Sequence, residues 1–403
     1  MADDSALLTD AITSYDGIFK GIHDQEVRND FHNVRNLLSS GKWDAGKNLL
    51  LEALNKSSAQ PLDKKCLTLI MSEFRRYEKN KIPPGTPTAN VISWEHVVDR
   101  SLERMNEPTC DLPQSVFFLN VGVSGLSGSR RLVGRKILSD YWIAGKIPEL
   151  HCSLVTSDMV LGLFCDERIT ENEVQVNYYP MNNSEKLRLF ADIMEGDSSN
   201  VEIICPFPLL RESTRKELCS PAEGWKVDDS YDAMLSCGEE RIRQYTIQFL
   251  DSVTMTAGRL YDPACSTGVF LSTLKKAFPE SHTIGQDLSQ QMADFSKQRV
   301  DEVYCGNAMF PKIQTGTADV CFVRFLNSEV VTSAEAEVLL AALLPTVREK
   351  GFIVTFGHTP VLLSSSNFRR LSNFSLIQSV GVSTDKAGIF QYYIIQRDVS
   401  LMT

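Results

Sequence analysis

From residue 1 to about 110 the apolar positions recur at helical spacing. In DFHNVRNLLSSGKWDAGKNLLLEALNK, Phe31, Val34, Leu37 and Leu38, then Leu49, Leu50, Leu51 and Leu54, predict two helices parted by a Ser-Ser-Gly break. KKCLTLIMSEFRRYEKN predicts another amphipathic helix, ended by IPPGTPTANV, whose prolines and glycine forbid helix. SWEHVVDRSLERMNE predicts a restart with Ser93 as its N-cap.

From Ser115 the pattern changes. SVFFLNVGVSG reads as a buried strand, and SGLSGSRRLVGRKILSDYWIAG as a small-residue turn feeding a helix. HCSLVTSDMVLGLF, EVQVNYYP and NVEIICPF are further apolar runs, with a helix at EKLRLFADIM. Beyond about Ser230 strands and helices alternate regularly: GRLYDPA, HTIGQDL, DEVYCGN, ADVCFVRF and GFIVTFG are strands, and FSLIQSVGV and IFQYYIIQ close the chain as a hairpin-like pair. Such alternation predicts an α/β fold, a mostly parallel sheet of seven strands covered on both faces, with one antiparallel strand at its end. The expected divisions are a helical region over 1–112, a small α/β unit or lid over 113–225, and the α/β sheet domain over 226–403.

Composition narrows the function classes. A net charge of -10 argues against a DNA or RNA substrate, since nucleic-acid binders draw affinity from basic faces. No stretch approaches the roughly 18 apolar residues of a membrane span, and MADDSALLTD lacks the pattern of a secretory signal, so no membrane partner and a cytoplasmic location are expected. The ten cysteines form no CxxC pair and mostly sit in apolar runs, and the six histidines are scattered. The cysteines therefore read as reduced small hydrophobes, with no metal site in view.

The informative segment is LYDPACSTGVF, Leu260 to Phe270: an apolar strand ending in an acid, a loop of small residues, then a helix. Ligands of open α/β folds sit beyond the carboxyl ends of the strands, and small residues allow close backbone approach. The next strand ends in Asp287, about twenty residues on, where a carboxylate can accept hydrogen bonds from both ribose hydroxyls of an adenosine. A third strand runs into CGNAMF, placing Asn307 where an amide can read the adenine edge.

These three strand ends resemble those of the class I S-adenosylmethionine-dependent methyltransferases of small-molecule type, over roughly Ser230 to Arg397. Asp262, Pro263, Ala264, Ser266 and Gly268 resemble that family's first motif, and Asp287 with Leu288 its ribose-binding element. Asn307 and Ala308 resemble its Gly-Asp-Ala element, and Phe325 lies at the end of its fourth strand, beside the methyl group. The resemblance implies a Rossmann-like domain with S-adenosylmethionine as cofactor. Two of the family's loop glycines are here Ala264 and Ser266, and the acid of its third-strand motif is Asn307. DPACSTG lacks the GxGxxG of a dinucleotide site.

The resemblance implies methyl transfer to a small-molecule acceptor, natural-product-like or amino-acid-like. The same fold can instead move the cofactor's aminobutyrate chain, by aminocarboxypropyl transfer or ring closure, releasing methylthioadenosine. A third alternative, motivated by Ala264 and Ser266, is a non-catalytic scaffold. Tyr231 matches a Tyr-Asp element that covers the cofactor, or packs on the sheet. Arg324, with Asn327, orients a carboxylate or other polar acceptor, or makes a salt bridge within the domain. His358 is a general base or a polar loop residue. GVSGLSGSRR, Gly122 to Arg131, is an anion site or a tight turn, and Tyr178 and Tyr179 line an acceptor pocket or a core. The chain before the sheet domain is expected to form a lid and acceptor pocket, or a homodimer interface.

Overall fold

The computed structural model describes residues 25–40, 42–55, 94–108, 114–122, 129–137, 154–170, 173–195, 200–206, 208, 210, 214, 216–227, 232, 239–357, 359–383 and 388–399. Helices α1 (Gln25–Ser39) and α2 (Trp43–Asn55) pack on one another across the predicted break. The helix predicted over residues 64–80, the linker after it and Ser93 lie outside the described residues.

The predicted helix SWEHVVDRSLERMNE is corrected. Only Trp94–Val98 is helical (α3), and Glu103–Pro108 is strand β1. Its partner explains why: β1 lies antiparallel on β6 (Glu173–Pro180), and the Glu103 carboxylate accepts a 2.7 Å bond from the Tyr178 hydroxyl. A second correction follows the same logic. The helix predicted after the small-residue turn is, over Ser129–Ile137, strand β3, paired along its whole length with β2 (Gln114–Gly122). Leu132 and Val133 are both fully buried there, facing opposite sides of the sheet, a pattern that helix and buried strand share.

Residues 103–204 thus build a six-stranded antiparallel sheet in the order β1-β6-β5-β3-β2-β7, with β5 at Val160–Ile169 and β7 at Val201–Ile204. Helix α4 (Asn183–Glu195) contributes Leu189, Phe190 and Ile193 to the core on one face. Tyr178 and Tyr179 pack in the two cores of this sheet, which answers their alternatives in favour of core.

The second sheet holds β8 (Arg259–Asp262), β9 (His282–Asp287), β10 (Glu302–Cys305), β11 (Ala318–Val323), β12 (Val347–Thr355), β13 (Phe374–Ser383) and β14 (Gly388–Arg397), in the order β10-β9-β8-β11-β12-β14-β13. The first five are parallel. This is the Rossmann-like class I methyltransferase sheet that the resemblance implies, with two refinements. The antiparallel strand β14 stands second from the edge, between β12 and β13. A short β4 (Val155–Thr156) pairs with the start of β14 as an eighth strand.

Period-two burial explains the legible strand pattern. Leu260, Val320, Phe322 and Val354 face one core with α5 (Glu240–Ser252) and α6 (Val269–Ala277). Tyr261, Cys321, Val323 and Ile353 face the other with α8 (Ser333–Leu343). The strand order reverses between β8 and β11, and that switch point puts a crevice at their carboxyl ends. The two sheets are locked together at β7. Tyr393 Oη donates to the Ile203 carbonyl at 3.2 Å, and Ser365 Oγ to Glu202 at 2.6 Å. No helix among the described residues is long and apolar enough to cross a membrane.

Candidate active site

A cavity of about 670 Å³ opens at the switch point, within the usual range of ligand pockets, about 300–1,000 Å³. It has two halves. One is built by the loops after β8, β9 and β10. The other is built by the turn after β11, helix α8 and a strap at 217–227 that precedes the parallel sheet.

The first half begins with the loop after β8. Cys265 N donates to the Gln286 carbonyl of β9 at 2.8 Å, and Gly268 N to the Cys265 carbonyl at 2.9 Å, folding the loop into a tight turn. Gly268 caps α6 with φ 81°, and a Cβ there would meet Ser296 at 2.9 Å. Only glycine fits both the conformation and the space. Ser266 adopts the left-handed φ of 52° that a glycine takes without strain. Its N–H donates to Asp287 Oδ2 at 2.8 Å, which holds it there. This is how the loop keeps its shape despite the two substituted glycines.

Asp287 Oδ1 also accepts from Ser289 N at 2.9 Å, at the start of α7 (Gln290–Ser296). Burial raises the Asp287 pKa, and these two N–H groups and Arg324 oppose the rise. A carboxylate has about four acceptor positions, so two remain for a pair of hydroxyls. Buried Gln286 joins the strand ends. It accepts from Tyr261 Oη at 2.7 Å and donates to the Asn307 carbonyl at 2.9 Å. Asn307 Oδ1 accepts from Met309 N at 2.9 Å, so the group its side chain has left for an adenine edge is the NH₂ donor.

The floor between the halves is charged. Arg324, at the end of β11, stacks its guanidinium 5.1 Å from the Phe270 ring centroid. Its Nη1 donates to Glu239 Oε1 at 2.7 Å, and its Nε lies 2.9 Å from Asp262 Oδ2, an ion pair whose angle falls short of a hydrogen bond. Glu239 in turn meets Arg243 at 3.2 Å. Burial alone would lower the Arg324 pKa, and the Glu239 and Asp262 carboxylates outweigh it and hold the guanidinium charged. Asp262 is fully buried, and desolvation lifts it to about 7, with Arg324 pulling it back only part of the way.

Of the residues chosen from the sequence, Pro263, Ala264, Ser266, Asp287, Leu288, Asn307, Ala308, Arg324, Phe325 and Asn327 line the cavity, while Asp262 lies behind the floor and Gly268 behind the loop. Arg324 makes the salt bridges of its second alternative and also lines the cavity. Tyr231 and His358 lie outside the described residues. Asp232, next to Tyr231, makes a two-pronged pair with Arg299 at 2.8 and 2.7 Å, and Arg299 also donates to the Thr267 carbonyl. Residues 123–128 of the GVSGLSGSRR segment are outside as well. Its Arg131 lies over Phe118 and Phe164, is not among the cavity's lining residues, and donates to Asn120.

The residues fit S-adenosylmethionine. The first half presents the Asp287 carboxylate with acceptor positions left for a pair of hydroxyls and a loop whose glycine has no room for a Cβ, and the floor offers carboxylates and a guanidinium of the kind an amino-acid group needs.

No family model matches the chain. Among curated proteins, the isonocardicin synthase of Nocardia uniformis subsp. tsuyamanensis is 34% identical over 289 residues, which span 71% of this chain and 92% of the relative. This chain belongs to the isonocardicin synthase family. Solved structures similar to it include a geranyl diphosphate C-methyltransferase from Streptomyces coelicolor A3(2), at 15% identity and TM-score 0.30 over 45% of this chain and 86% of that one. Another is an amino pentose methyltransferase from Micromonospora echinaspora, at 13% identity and TM-score 0.33 over 43% of this chain and 98% of that one.

In this member of the isonocardicin synthase family, several cavity residues escape sequence reasoning. Glu239 reads as an ordinary helix-start acid and is buried only because Arg324 and Arg243 meet it. The strap is a loop of small residues and Trp225 with no periodicity. It is fastened at one end by Ser220 N and Oγ on the Val330 carbonyl, at 3.1 and 2.8 Å. At the other, Val227 N donates to Gln291 at 3.2 Å, and Gly224, at φ 76°, lies against Ser289 so closely that a Cβ would come within 3.0 Å. Glu329, in the turn after β11, carries no motif either.

Proposed function

We propose that this chain uses S-adenosylmethionine to alkylate a small-molecule nucleophile, and that the group moved is the cofactor's aminobutyrate chain. The observation that carries this reading is the charged floor at the junction of the two halves. Arg324 and Glu239 line the cavity there, with Asp262 behind them. The aminobutyrate chain bears one ammonium and one carboxylate, which this floor complements with carboxylates and a guanidinium. The transfer would form a bond between the acceptor and the chain carbon attached to sulfur as that carbon–sulfur bond breaks, with methylthioadenosine as the leaving group. Membership in a family whose curated relative is named a synthase, not a methyltransferase, supports the same reading.

When bound, the cofactor supplies a sulfonium whose attached carbons are already activated, so the protein's part is placement. Asp287 and Gly268 set the adenosine end, Arg324 and Glu239 hold the amino-acid end, and the strap and α8 exclude water from the acceptor. Methyl transfer is the second reading. It is favoured by the methyltransferase-type sheet and by Phe325, which lines the cavity at the end of β11, where that family's methyl group lies. Cofactor labelled with carbon-13 in the aminobutyrate chain, beside cofactor labelled in the methyl group, separates the two by the mass of the alkylated product. Product carrying the chain label is expected; product carrying the methyl label alone overturns the proposal.

The floor also sets a pH dependence. In the cofactor-free protein Asp262 is mostly protonated below pH about 7, and a cationic ligand beside it favours the ionised form. Cofactor binding therefore releases a proton, and affinity is expected to fall by up to about tenfold per pH unit below 7. Asp262→Asn should flatten that profile in calorimetric titrations with S-adenosylhomocysteine; an unchanged slope contradicts the assignment. Folding shows the opposite sign. A carboxylate whose folded pKa lies above its unfolded value of 3.8 stabilises the fold most at low pH, and that contribution is lost as pH rises through about 7.

A further inference from the structure

We propose that Gln286 is the positioning residue of the base subsite: it draws the carbonyls of the loop after β10 inward, so that Asn307 meets the cofactor's adenine as a hydrogen-bond donor and reads a ring nitrogen. The inference rests on the reading that the adenosine lies along the ends of β9 and β10. It concerns how the base is recognised, not which group is moved.

Gln286 lies on β9 with no exposed surface, so both ends of its amide need partners inside the protein. Its Oε1 accepts from Lys312 N at 3.0 Å and from Tyr261 Oη at 2.7 Å. Its Nε2 donates to the Asn307 carbonyl at 2.9 Å and to the Gly306 and Phe310 carbonyls, both at 3.3 Å. Chemistry fixes which end of the amide is which. A backbone N–H only donates and a carbonyl only accepts, so Oε1 faces Lys312 and the NH₂ faces the loop. Tyr261 is fully buried, and desolvation raises its pKa, so its hydroxyl stays protonated and donates.

The loop closes around this amide. Phe310 N donates to the Asn307 carbonyl at 2.9 Å, and Gly306 N to the Asp287 carbonyl at 2.8 Å, which ties the loop to the ribose carboxylate's own strand. Asn307 itself is exposed and lines the cavity, so its aim depends on the backbone that carries it. Its Oδ1 accepts from Met309 N at 2.9 Å, and the same reasoning that orients Gln286 leaves its NH₂ toward a ligand. Adenine's ring nitrogens accept hydrogen bonds, whereas its exocyclic amine donates. An amide held this way is complementary to a ring nitrogen and offers nothing to the amine.

The test is calorimetry on the full-length protein with S-adenosylhomocysteine and analogues in which one ring nitrogen, N1, N3 or N7, is replaced by CH. At least one of these should bind about fivefold or more weakly than the parent, while hydrogen in place of the exocyclic amine should cost less than about fivefold. Asn307→Asp keeps the acceptor for Met309 N but lacks the donor, and should erase the ring-nitrogen preference. Gln286→Leu should erase it too, yet keep the penalty for the 2′-deoxy analogue, which reports Asp287. Tyr261→Phe, which takes one donor from Gln286 and touches no part of the ligand, should shrink the preference and serves if Gln286→Leu does not fold. Three ring analogues that bind like the parent, or a fivefold loss on removing the amine, overturn the inference. So do a preference that survives in Gln286→Leu or undiminished in Tyr261→Phe, and loss of base and ribose preferences together in Gln286→Leu. Failure of S-adenosylhomocysteine itself to bind the unaltered protein would overturn the functional reading instead, so the two failures are distinct.

Discussion

Asp287→Ala is expected to raise the dissociation constant for S-adenosylhomocysteine by roughly a hundredfold or more. The carboxylate has two acceptor positions left after Ser266 N and Ser289 N are satisfied, enough for the two ribose hydroxyls. Hydrogen bonds to a charged group contribute about 1.5–3 kcal/mol each, so losing two costs about 3 kcal/mol or more. The variant also removes the acceptor that keeps Ser266 in its left-handed conformation, which loosens the loop on the other side of the ligand. Asp287→Asn keeps the shape but turns one acceptor oxygen into a donor, and its affinity should fall between the two. Calorimetry checks both, and unchanged affinity in Asp287→Ala would remove the adenosine cradle from this place.

Arg324→Met is expected to destabilise the fold by about 3–5 kcal/mol, the usual cost of removing one partner of a buried ion pair. Asp262 is fully buried and loses its facing charge, whereas Glu239 keeps Arg243 at 3.2 Å. Against a total stability of about 5–15 kcal/mol this is a large loss, and a melting temperature lower by roughly 6–20 °C should report it. The loss should shrink at pH 5 relative to pH 8. Desolvation already lifts Asp262 to about 7, and without Arg324 it is neutral over a wider range. A melting temperature unchanged at pH 8 would mean that the floor is not the buried charge network described.

The parallel sheet was legible because both its faces are covered. Leu260 and Tyr261, or Phe322 and Val323, point into opposite cores and leave short, wholly apolar runs between turns. The first antiparallel sheet was only partly legible. Arg130 to Ile137 carries apolar residues at spacings that helix and strand both permit, and pairing with β2 decides between them. The same contest was lost at Glu103–Pro108, where the sequence is polar and the strand exists because β6 offers a partner.

The cofactor half could be read because backbone geometry constrains residue type there. A Gly268 with no room for a Cβ and an Asp287 that holds a turn are visible as spacing alone. The other half could not. Glu239, the strap and Glu329 come from three separate stretches of chain, and nothing in their local patterns announces that they share a cavity. Their charges acquire meaning only once Arg324 and the turn after β11 bring them together.

On the proposed reading the aminobutyrate chain, not the methyl group, leaves sulfur. The most direct measurement is the nucleoside formed when the purified protein turns over S-adenosylmethionine with a small-metabolite extract, read by mass spectrometry against a no-protein control. Methylthioadenosine above that control is the predicted result. S-adenosylhomocysteine appearing only when extract is present, with no excess methylthioadenosine, would contradict the account and make this chain a methyltransferase.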